Sequence, residues 1–232
     1  MIALRDLSKT YVLNGKRKIV ADRINAVFPT GSVVGLLGRN GAGKSSLLRM
    51  IAGTMGYDSG EIQTDGTVSW PVGFSGSFHA DLTGSQNVRF IARIYGVDSD
   101  ALTASVRDFA ELGQHFNLPV RSYSSGMRSR LAFGTSMGIA FDTYLVDEVT
   151  AVGDAAFREK SEKVFTERMQ DSGAIIVSHS LPQIRRLCES VAVIENGQLH
   201  LYDDVEDGIR HHEELMHVGP SAPAAPAAAA AK

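Results

Sequence analysis

The sequence predicts an α/β fold in which short buried strands alternate with helices. Three apolar runs indicate these strands, at residues 32–37, 144–146 and 174–177, and each run ends in a polar stretch. Helical spacing of apolar residues follows the first run and separates it from the other two. Alternation of this kind is typical of α/β domains, and 232 residues suffice for one large domain or for a domain with a lobe.

The composition excludes several broad classes of protein. Apolar residues make up 44% and charged residues 21%, a balance typical of a globular domain. The net charge of −3 does not favour nucleic acid as a partner. A single cysteine, Cys188, suits a reducing compartment. No apolar run approaches the roughly 20 residues that span a bilayer, and the N-terminus lacks a signal-peptide layout. We expect a cytosolic domain that reaches any membrane through a partner.

The strongest local signal is the stretch 38–45, which fits the phosphate-binding pattern G-x-x-x-x-G-K-[ST]. It lies between the apolar run 32–37 and a segment in which Leu47, Leu48 and Ile51 have helical spacing. Glycines let successive backbone N–H groups surround phosphate oxygens, and the helix N-terminus adds positive partial charge. We expect Lys44 to reach the β- and γ-phosphates and the Ser45 hydroxyl to bind Mg²⁺.

The N-terminal residues predict an antiparallel sheet that leads into this strand. A strand is expected from Ile2 to Leu7, a polar turn at 14–18, and a second strand in which Ile24, Ala26 and Phe28 alternate. Tyr11 precedes the phosphate-binding stretch and is placed to stack on a nucleobase. The alternative interpretation is an aromatic side chain that packs on an edge strand.

A mostly helical section separates the phosphate-binding stretch from the next chemical motif. Helices are expected from about 84 to 113, with a break at 98–100, and from about 124 to 140. Ser124 or Ser125 is a plausible N-cap of the last of these helices. The small residues at this helix start would also leave N–H groups available to a phosphate, so the residues alone leave both roles open.

Two adjacent acids, Asp147 and Glu148, end the apolar run 144–146. Open α/β sheets bind ligands at the carboxyl ends of their strands. Side-by-side carboxylates there favour a cation and a reacting water, so we assign Asp147 to Mg²⁺ and Glu148 to the attacking water. His179 follows the run 174–177 and is a candidate contact to the γ-phosphate.

The C-terminal part predicts a hairpin and a helix. Asn196-Gly197 between two apolar runs is typical of a tight hairpin turn, and 205–216 is expected to be helical. The histidines of 212–217 are five residues apart, where the zinc-binding helix motif needs four, so we predict a solvated helix end. The Pro- and Ala-rich residues 219–232 predict a disordered tail.

With these motifs in place, the chain over about residues 1–215 resembles the nucleotide-binding subunit of an ABC transporter. In that family Tyr11 matches the base-stacking aromatic, Ser124-Ser125-Gly126 the signature loop, Asp147 the Walker B acid and Glu148 the catalytic glutamate. Asp154 matches a dimer-interface position and His179 the switch histidine. The resemblance implies ATP and Mg²⁺ as ligands and a head-to-tail homodimer. The nucleotide contacts it implies are Tyr11, Gly38, Arg39, Asn40, Gly41, Ala42, Gly43, Lys44, Ser45, Ser46, Ser124, Ser125 and Gly126.

The fold that the resemblance implies is a P-loop ABC ATPase with an antiparallel β-subdomain and a helical lobe. The expected domain covers residues 1–218, with the lobe at about 75–140. The chain is similar to ATPases of capsular polysaccharide export in the residue sequence of four stretches, 69–73, 82–84, 123–131 and 146–154. That branch implies an integral membrane permease partner, a lipid-linked polysaccharide handled by the permease, and a place on the cytoplasmic face of the inner membrane.

The chain departs from the family at one position. Most ABC ATPases carry a glutamine in the loop that enters the helical lobe, where it touches Mg²⁺ and relays the permease contact. The matching place here, near Gly73-Phe74, has none, and Gln86 lies too far along. The resemblance therefore leaves Mg²⁺ with Ser45, Asp147, phosphates and water, and makes this loop mainly a docking groove.

Other functions remain as alternatives. An exporter of O-antigen, teichoic acid or another surface lipid would use the same ATPase chemistry. A soluble ABC ATPase acting on DNA or ribosomes is less consistent with a single cassette that lacks a long coiled coil and a basic patch. A regulatory module without turnover is disfavoured by Glu148 and His179.

Overall fold

A computed structural model of the protein describes residues 1–13, 15–73, 76, 78–147 and 155–217. Within these residues the chain forms two β-sheets and seven α-helices. The predicted tail at 219–232 lies outside the described residues, as do Glu148 and Asp154.

The first sheet is antiparallel and has the strand order β2-β1-β4. Its strands are β1 (Ile2–Leu13), β2 (Lys16–Phe28) and β4 (Ser59–Thr64). The predicted antiparallel pairing is confirmed, with Ile24, Ala26 and Phe28 buried on one face of β2. Both strands are longer than predicted, because β1 continues through Tyr11 and β2 already begins at Lys16. The prediction of a polar turn at 14–18 was therefore wrong for residues 16–18, which belong to β2.

The second sheet has the strand order β5-β6-β7-β3-β8-β9. Its strands are β3 (Val33–Leu37), β5 (Val68–Val72), β6 (Thr143–Asp147), β7 (Gly173–Val177), β8 (Ser190–Glu195) and β9 (Gln198–Tyr202). All neighbours pair in parallel except β8 and β9, which form the predicted hairpin. Asn196 and Gly197 both have positive φ, at 48° and 82°, as a tight hairpin turn requires.

The helices cover the second sheet and form the helical lobe. They are α1 (Lys44–Ile51), α2 (Gly84–Ile94), α3 (Ser99–Ala110), α4 (Ser125–Gly138), α5 (Ala155–Met169), α6 (Leu181–Leu187) and α7 (Val205–His217). The break between α2 and α3 ends at Asp98, whose carboxylate accepts hydrogen bonds from the Asp100 and Ala101 amides. Among the described helices, none combines the length and the apolar character needed to cross a membrane.

Strand β3 is apolar throughout because both of its faces are buried. Val33 and Leu37 belong to a core cluster shared with the helical lobe. Val34 and Leu36 belong to a second cluster, which includes Leu47 and Leu48 of α1 and the inner face of the first sheet. Each buried leucine of this kind contributes about 1.5–3 kcal/mol to folding. The two clusters therefore fix β3, and the loop after it, from both sides.

Candidate functional site

The sheet order brings the ends of three strands together. Strands β6, β7 and β3 are consecutive neighbours, so the loop after β3, the acid that ends β6 and the turn after β7 lie at one edge of the sheet. Asp147 pairs with Val177, and His179 follows two residues later. Parallel strands present their carboxyl ends on the same side, which is where open α/β sheets bind ligands.

The phosphate-binding loop has a backbone that only glycine accommodates easily. Gly38, Gly41 and Gly43 have φ values of 146°, 77° and 114°. A Cβ at Gly38 would lie 2.5 Å from the carbonyl oxygen of Ile194, and one at Gly43 would lie 3.0 Å from the Val20 Cβ. Glycine at these positions thus lets the loop pack closely on β8 and β2 while its inner side stays open to a ligand.

The Lys44 side chain forms hydrogen bonds with the backbone of the loop. Its side chain is buried, and Nζ donates hydrogen bonds to the carbonyl oxygens of Gly38 at 2.7 Å and Arg39 at 3.1 Å. The ammonium group therefore lies across the loop, beside the N–H groups that begin α1. Gly43 caps this helix without a side chain, and the first turn carries no acid, so nothing on the helix itself neutralises its positive end.

A groove of about 370 Å³ runs along the loop and reaches the first sheet. The loop and α1 contribute one side of its lining, with Asn40, Gly41, Gly43, Lys44, Ser45 and Ser46. The first sheet contributes the other residues, Tyr11, Lys18 and Val20. The Tyr11 hydroxyl lies 3.2 Å from the Ser46 Oγ and 3.0 Å from the Met55 Sδ. Tyr11 is half-buried against α1, with the groove beside its ring.

Lys18 and Val20 were not among the predicted site residues. Both lie on β2, and Lys18 pairs with Tyr11 across the antiparallel ladder. The Asn14-Gly15 dipeptide is a two-residue turn signal, and counting outward from it would have placed residue 18 opposite residue 11. The sequence therefore held the signal that pairs Lys18 with Tyr11.

The predicted signature residues lie elsewhere in the single chain. Ser124, Ser125 and Gly126 begin α4 in the helical lobe, and none of them lines the groove at the phosphate-binding loop. The Ser124 Oγ accepts a hydrogen bond from the Met127 amide at 3.2 Å. The N-cap interpretation is thus correct for Ser124 within this chain, and Ser124 and Ser125 are exposed at the helix start.

The C-terminal helix α7 lies close to the phosphate-binding loop. The Arg39 Nη1 donates a hydrogen bond to the Leu215 carbonyl oxygen at 3.0 Å. Burial lowers the pKa of His212, and the nearby charge of Lys44 and that of His179 act in the same direction while Glu213 opposes them. The Nδ1 of His212 is buried and has no hydrogen-bond partner among the described residues. The prediction of a solvated helix end was therefore wrong for His212, which packs toward the site.

Gln86 does not replace the glutamine that is missing near Gly73. Its side chain belongs to a capping box at the start of α2, in which Oε1 accepts from the Thr83 amide at 2.9 Å. The Thr83 Oγ1 in turn accepts from the Gln86 amide at 3.1 Å. Gln86 is therefore committed to the helix start, as its distance along the chain predicted.

The residues at this edge of the sheet fit a nucleotide and a divalent cation. Glycine-lined backbone, a buried lysine and a helix N-terminus without a side-chain cap suit phosphate groups. The Ser45 hydroxyl and the Asp147 carboxylate are hard oxygen ligands of the kind that Mg²⁺ prefers. The predicted partners Glu148 and Asp154 lie outside the described residues.

Comparison with known proteins identifies the family. The ABC transporter family profile matches residues 21–151. This chain belongs to the ABC transporter family. It is 46% identical over 216 residues to the polysialic acid transport ATP-binding protein KpsT of Escherichia coli, covering 92% of this chain and 96% of that protein. It is 41% identical over 215 residues to the capsule polysaccharide export ATP-binding protein CtrD of Neisseria meningitidis serogroup B, covering 93% of this chain and all of CtrD.

Solved structures show the same fold. A dimeric post-hydrolysis structure of the ATP-binding cassette MJ0796 bound to ADP and Pi matches with a TM-score of 0.72 at 19% identity, covering 86% of this chain and 97% of that one. The predicted fold, an ABC ATPase domain with an antiparallel β-subdomain and a helical lobe, is confirmed. The chain is an ABC-type ATPase, from a family that binds ATP and couples its hydrolysis to transport.

Proposed function

We propose that this chain is the ATP-hydrolysing subunit of an exporter that moves lipid-linked capsular polysaccharide out of the cytoplasm. The observation that carries the proposal is similarity over almost the whole chain, at 46% and 41% identity, to ATP-binding proteins named for polysialic acid and capsule polysaccharide export. Relatives named for export of teichoic acids and O-antigen are 33–35% identical, which favours capsular cargo over these alternatives.

The nucleotide would bind in the groove at the phosphate-binding loop. Backbone N–H groups of residues 38–46 would surround the phosphates, and Lys44 would exchange its carbonyl partners for phosphate oxygens. Tyr11 would stack on the base, since its ring borders the groove that contains the loop. The hydroxyl of Ser46 lies 3.2 Å from the Tyr11 hydroxyl and would therefore lie near the base.

Mg²⁺ would be held by the Ser45 hydroxyl and the Asp147 carboxylate, and would neutralise charge on the phosphates. Glu148 follows Asp147 directly and would polarise the attacking water as general base. His179, after β7, would contact the γ-phosphate. The order β6-β7-β3 supports this assignment, because it places the elements that carry these residues side by side.

The complete site would need a second copy of the chain. Ser124, Ser125 and Gly126 begin an exposed helix N-terminus that lies outside the groove of their own chain. In a head-to-tail homodimer this helix end would face the γ-phosphate bound by the partner, and Asp154 would lie at the interface. ATP would close the dimer by joining two surfaces, and release of phosphate would let it reopen.

The helical lobe would dock a membrane permease. On α2, Phe90 and Ile94 lie one turn apart and are 55% and 60% exposed, an apolar pair on the face of the helix that points away from the core. Tyr95 continues the patch and packs on Trp70, with 5.0 Å between the ring centroids. Isolated exposed apolar residues are ordinary, but a contiguous group suits a partner surface. The domain would extend over residues 1–218 and work at the cytoplasmic face of the inner membrane.

The test is co-purification of a trapped complex. A tagged Glu148→Gln chain should still bind ATP and dimerise, but should hydrolyse ATP far more slowly than the parent chain. Membranes extracted gently with ATP present should then yield the chain with a stoichiometric multi-spanning protein. Phe90→Ser, at an exposed position outside the site, should weaken this co-purification without altering ATP binding.

Two results would contradict the proposal. A Glu148→Gln chain that hydrolysed ATP at the parent rate would refute the general-base assignment. A chain recovered only in the soluble fraction, or with nucleic acid or ribosomes, would leave the ATPase chemistry standing and refute export.

A further inference from the structure

We propose that Lys18 is a second cationic contact to the phosphate chain of the nucleotide, contributed by the first sheet rather than by the phosphate-binding loop. The inference rests on the proposed function, because it assumes that a nucleotide occupies the groove. It assigns one more binding residue, outside the motifs that predicted the site.

The antiparallel ladder places Lys18 beside Tyr11. The two residues are direct partners in the pairing of β1 with β2. Side chains of direct partners project from the same face of a sheet, with Cβ atoms about 4.5–5.5 Å apart. A base stacked on Tyr11 would therefore bring the rest of the nucleotide past Lys18.

The ammonium group of Lys18 reaches the phosphate-binding loop itself. A Cβ at Gly41 would lie only 3.1 Å from the Lys18 Nζ, so the ammonium lies directly over this glycine. Gly41 and Lys18 both line the groove. Lys44 bonds to the carbonyls of Gly38 and Arg39. Two ammonium groups from different elements thus meet the same short loop.

The chemistry of Lys18 suits a phosphate oxygen. Lysine is a flexible point charge with three donors, and it binds phosphate without the fixed geometry of arginine. Lys18 is exposed, and no ion pair involving it is found in the described part of the chain. The effect should be modest, about three- to tenfold in affinity, because an exposed charge is well hydrated before it binds.

Competition binding distinguishes a phosphate contact from other roles. Displacement of a fluorescent ATP analogue is measured with ATP and with inorganic tripolyphosphate, which has no base. Lys18→Met should weaken both competitors by a similar factor, and Lys18→Arg should restore most of the affinity. Tyr11→Ala should weaken ATP but not tripolyphosphate. Lys16→Met is the matched control, since Lys16 is an exposed lysine on the same strand that does not line the groove.

Each contrary result has a definite meaning. The proposal would be overturned if Lys18→Met and Lys16→Met bound both competitors with equal affinity. It would also be overturned if Lys18→Met weakened the binding of ATP but not that of tripolyphosphate. If Lys44→Ala abolished binding while Lys18→Met changed nothing, the nucleotide site would stand and only Lys18 would be refuted. A parent chain that bound neither competitor would refute the proposed function, and this assignment with it.

Discussion

The guanidinium of Arg39 donates a hydrogen bond to the backbone carbonyl of Leu215, across 176 positions of sequence. The phosphate-binding loop thereby holds the last turn of α7. The other end of this helix is held by packing, since Ile209 is 1% exposed and a Cβ at Gly208 would lie 2.6 Å from the Val191 side chain. The two ends of α7 are therefore secured by different kinds of interaction.

Arg39→Met should loosen only the last turn of α7. Loss of this partly buried hydrogen bond from a charged donor should cost about 1.5–3 kcal/mol of unfolding free energy. Amide hydrogen exchange should accelerate after residue 211 and stay slow around Ile209. Arg49→Met, an exposed arginine on α1, is the control and should leave exchange in α7 unchanged. Uniform acceleration along α7 in Arg39→Met would contradict this division.

His212 should make folding sensitive to mild acid. Its pKa lies below the usual value in the folded chain, chiefly because of burial, so the unfolded chain binds the proton more readily. Stability is therefore fully present above about pH 6.5, the pKa of an unperturbed histidine, and falls as the pH drops toward the folded pKa. His212→Gln should lose less stability than the parent chain between pH 7.5 and 5.5 in urea unfolding. His217→Gln, at an exposed position on the same helix, should behave as the parent does.

Gly38→Ala should be far more damaging than Gly56→Ala. At Gly38 the new Cβ would meet the Ile194 carbonyl oxygen at 2.5 Å, and φ is 146°. Strain and overpacking together should cost about 2–4 kcal/mol and displace the start of the loop. At Gly56 a Cβ meets nothing within 4 Å. Thermal unfolding and nucleotide affinity measured on both variants check this, and equal melting temperatures would contradict it.

Two serine variants would separate the cap role at the start of α4 from the proposed nucleotide contact. Ser124→Ala removes the hydrogen bond to the Met127 amide and should cost about 1 kcal/mol of stability. Ser125→Ala should have little effect on stability, because Ser124 already caps the helix. If both residues also face the partner's γ-phosphate, both variants should lower ATPase activity. Unfolding and turnover measured together therefore distinguish a cap from a nucleotide contact.

The fold was largely predictable because its signals are local. Apolar runs, a glycine-rich loop and the Asn196-Gly197 turn each specify their own backbone, and the structure has strands, a loop and a hairpin at these places. The lengths of the first two strands were predicted less accurately. The continuation of β1 through Tyr11 depends on pairing with β2, a contact between strands that the composition of either one does not reveal.

Candidate site residues were predictable where they belong to a sequence motif. They were not predictable where only tertiary packing brings a residue to the site. Lys44 and Asp147 lie within strong patterns. His212 lies in a helix whose sequence suggested a solvated end, and its burial arises from contacts between α7 and the rest of the fold that no local pattern encodes. Lys18 is an intermediate case, since the turn fixes its partner on β1 but only the folded structure brings it to Gly41.

The sheet order β6-β7-β3 has a thermodynamic consequence. The loop at residues 38–45 and His179 are more than 130 positions apart in the chain, yet they follow adjacent strands, β3 and β7. In the proposed site, no fragment of the chain holds both the loop and His179, so we expect a nucleotide to bind the fully folded form alone. By mass action, a ligand at 100 times its Kd then adds about 2.7 kcal/mol to the free energy of global unfolding. Nucleotide in the cell would therefore stabilise the folded subunit as well as serve as its substrate.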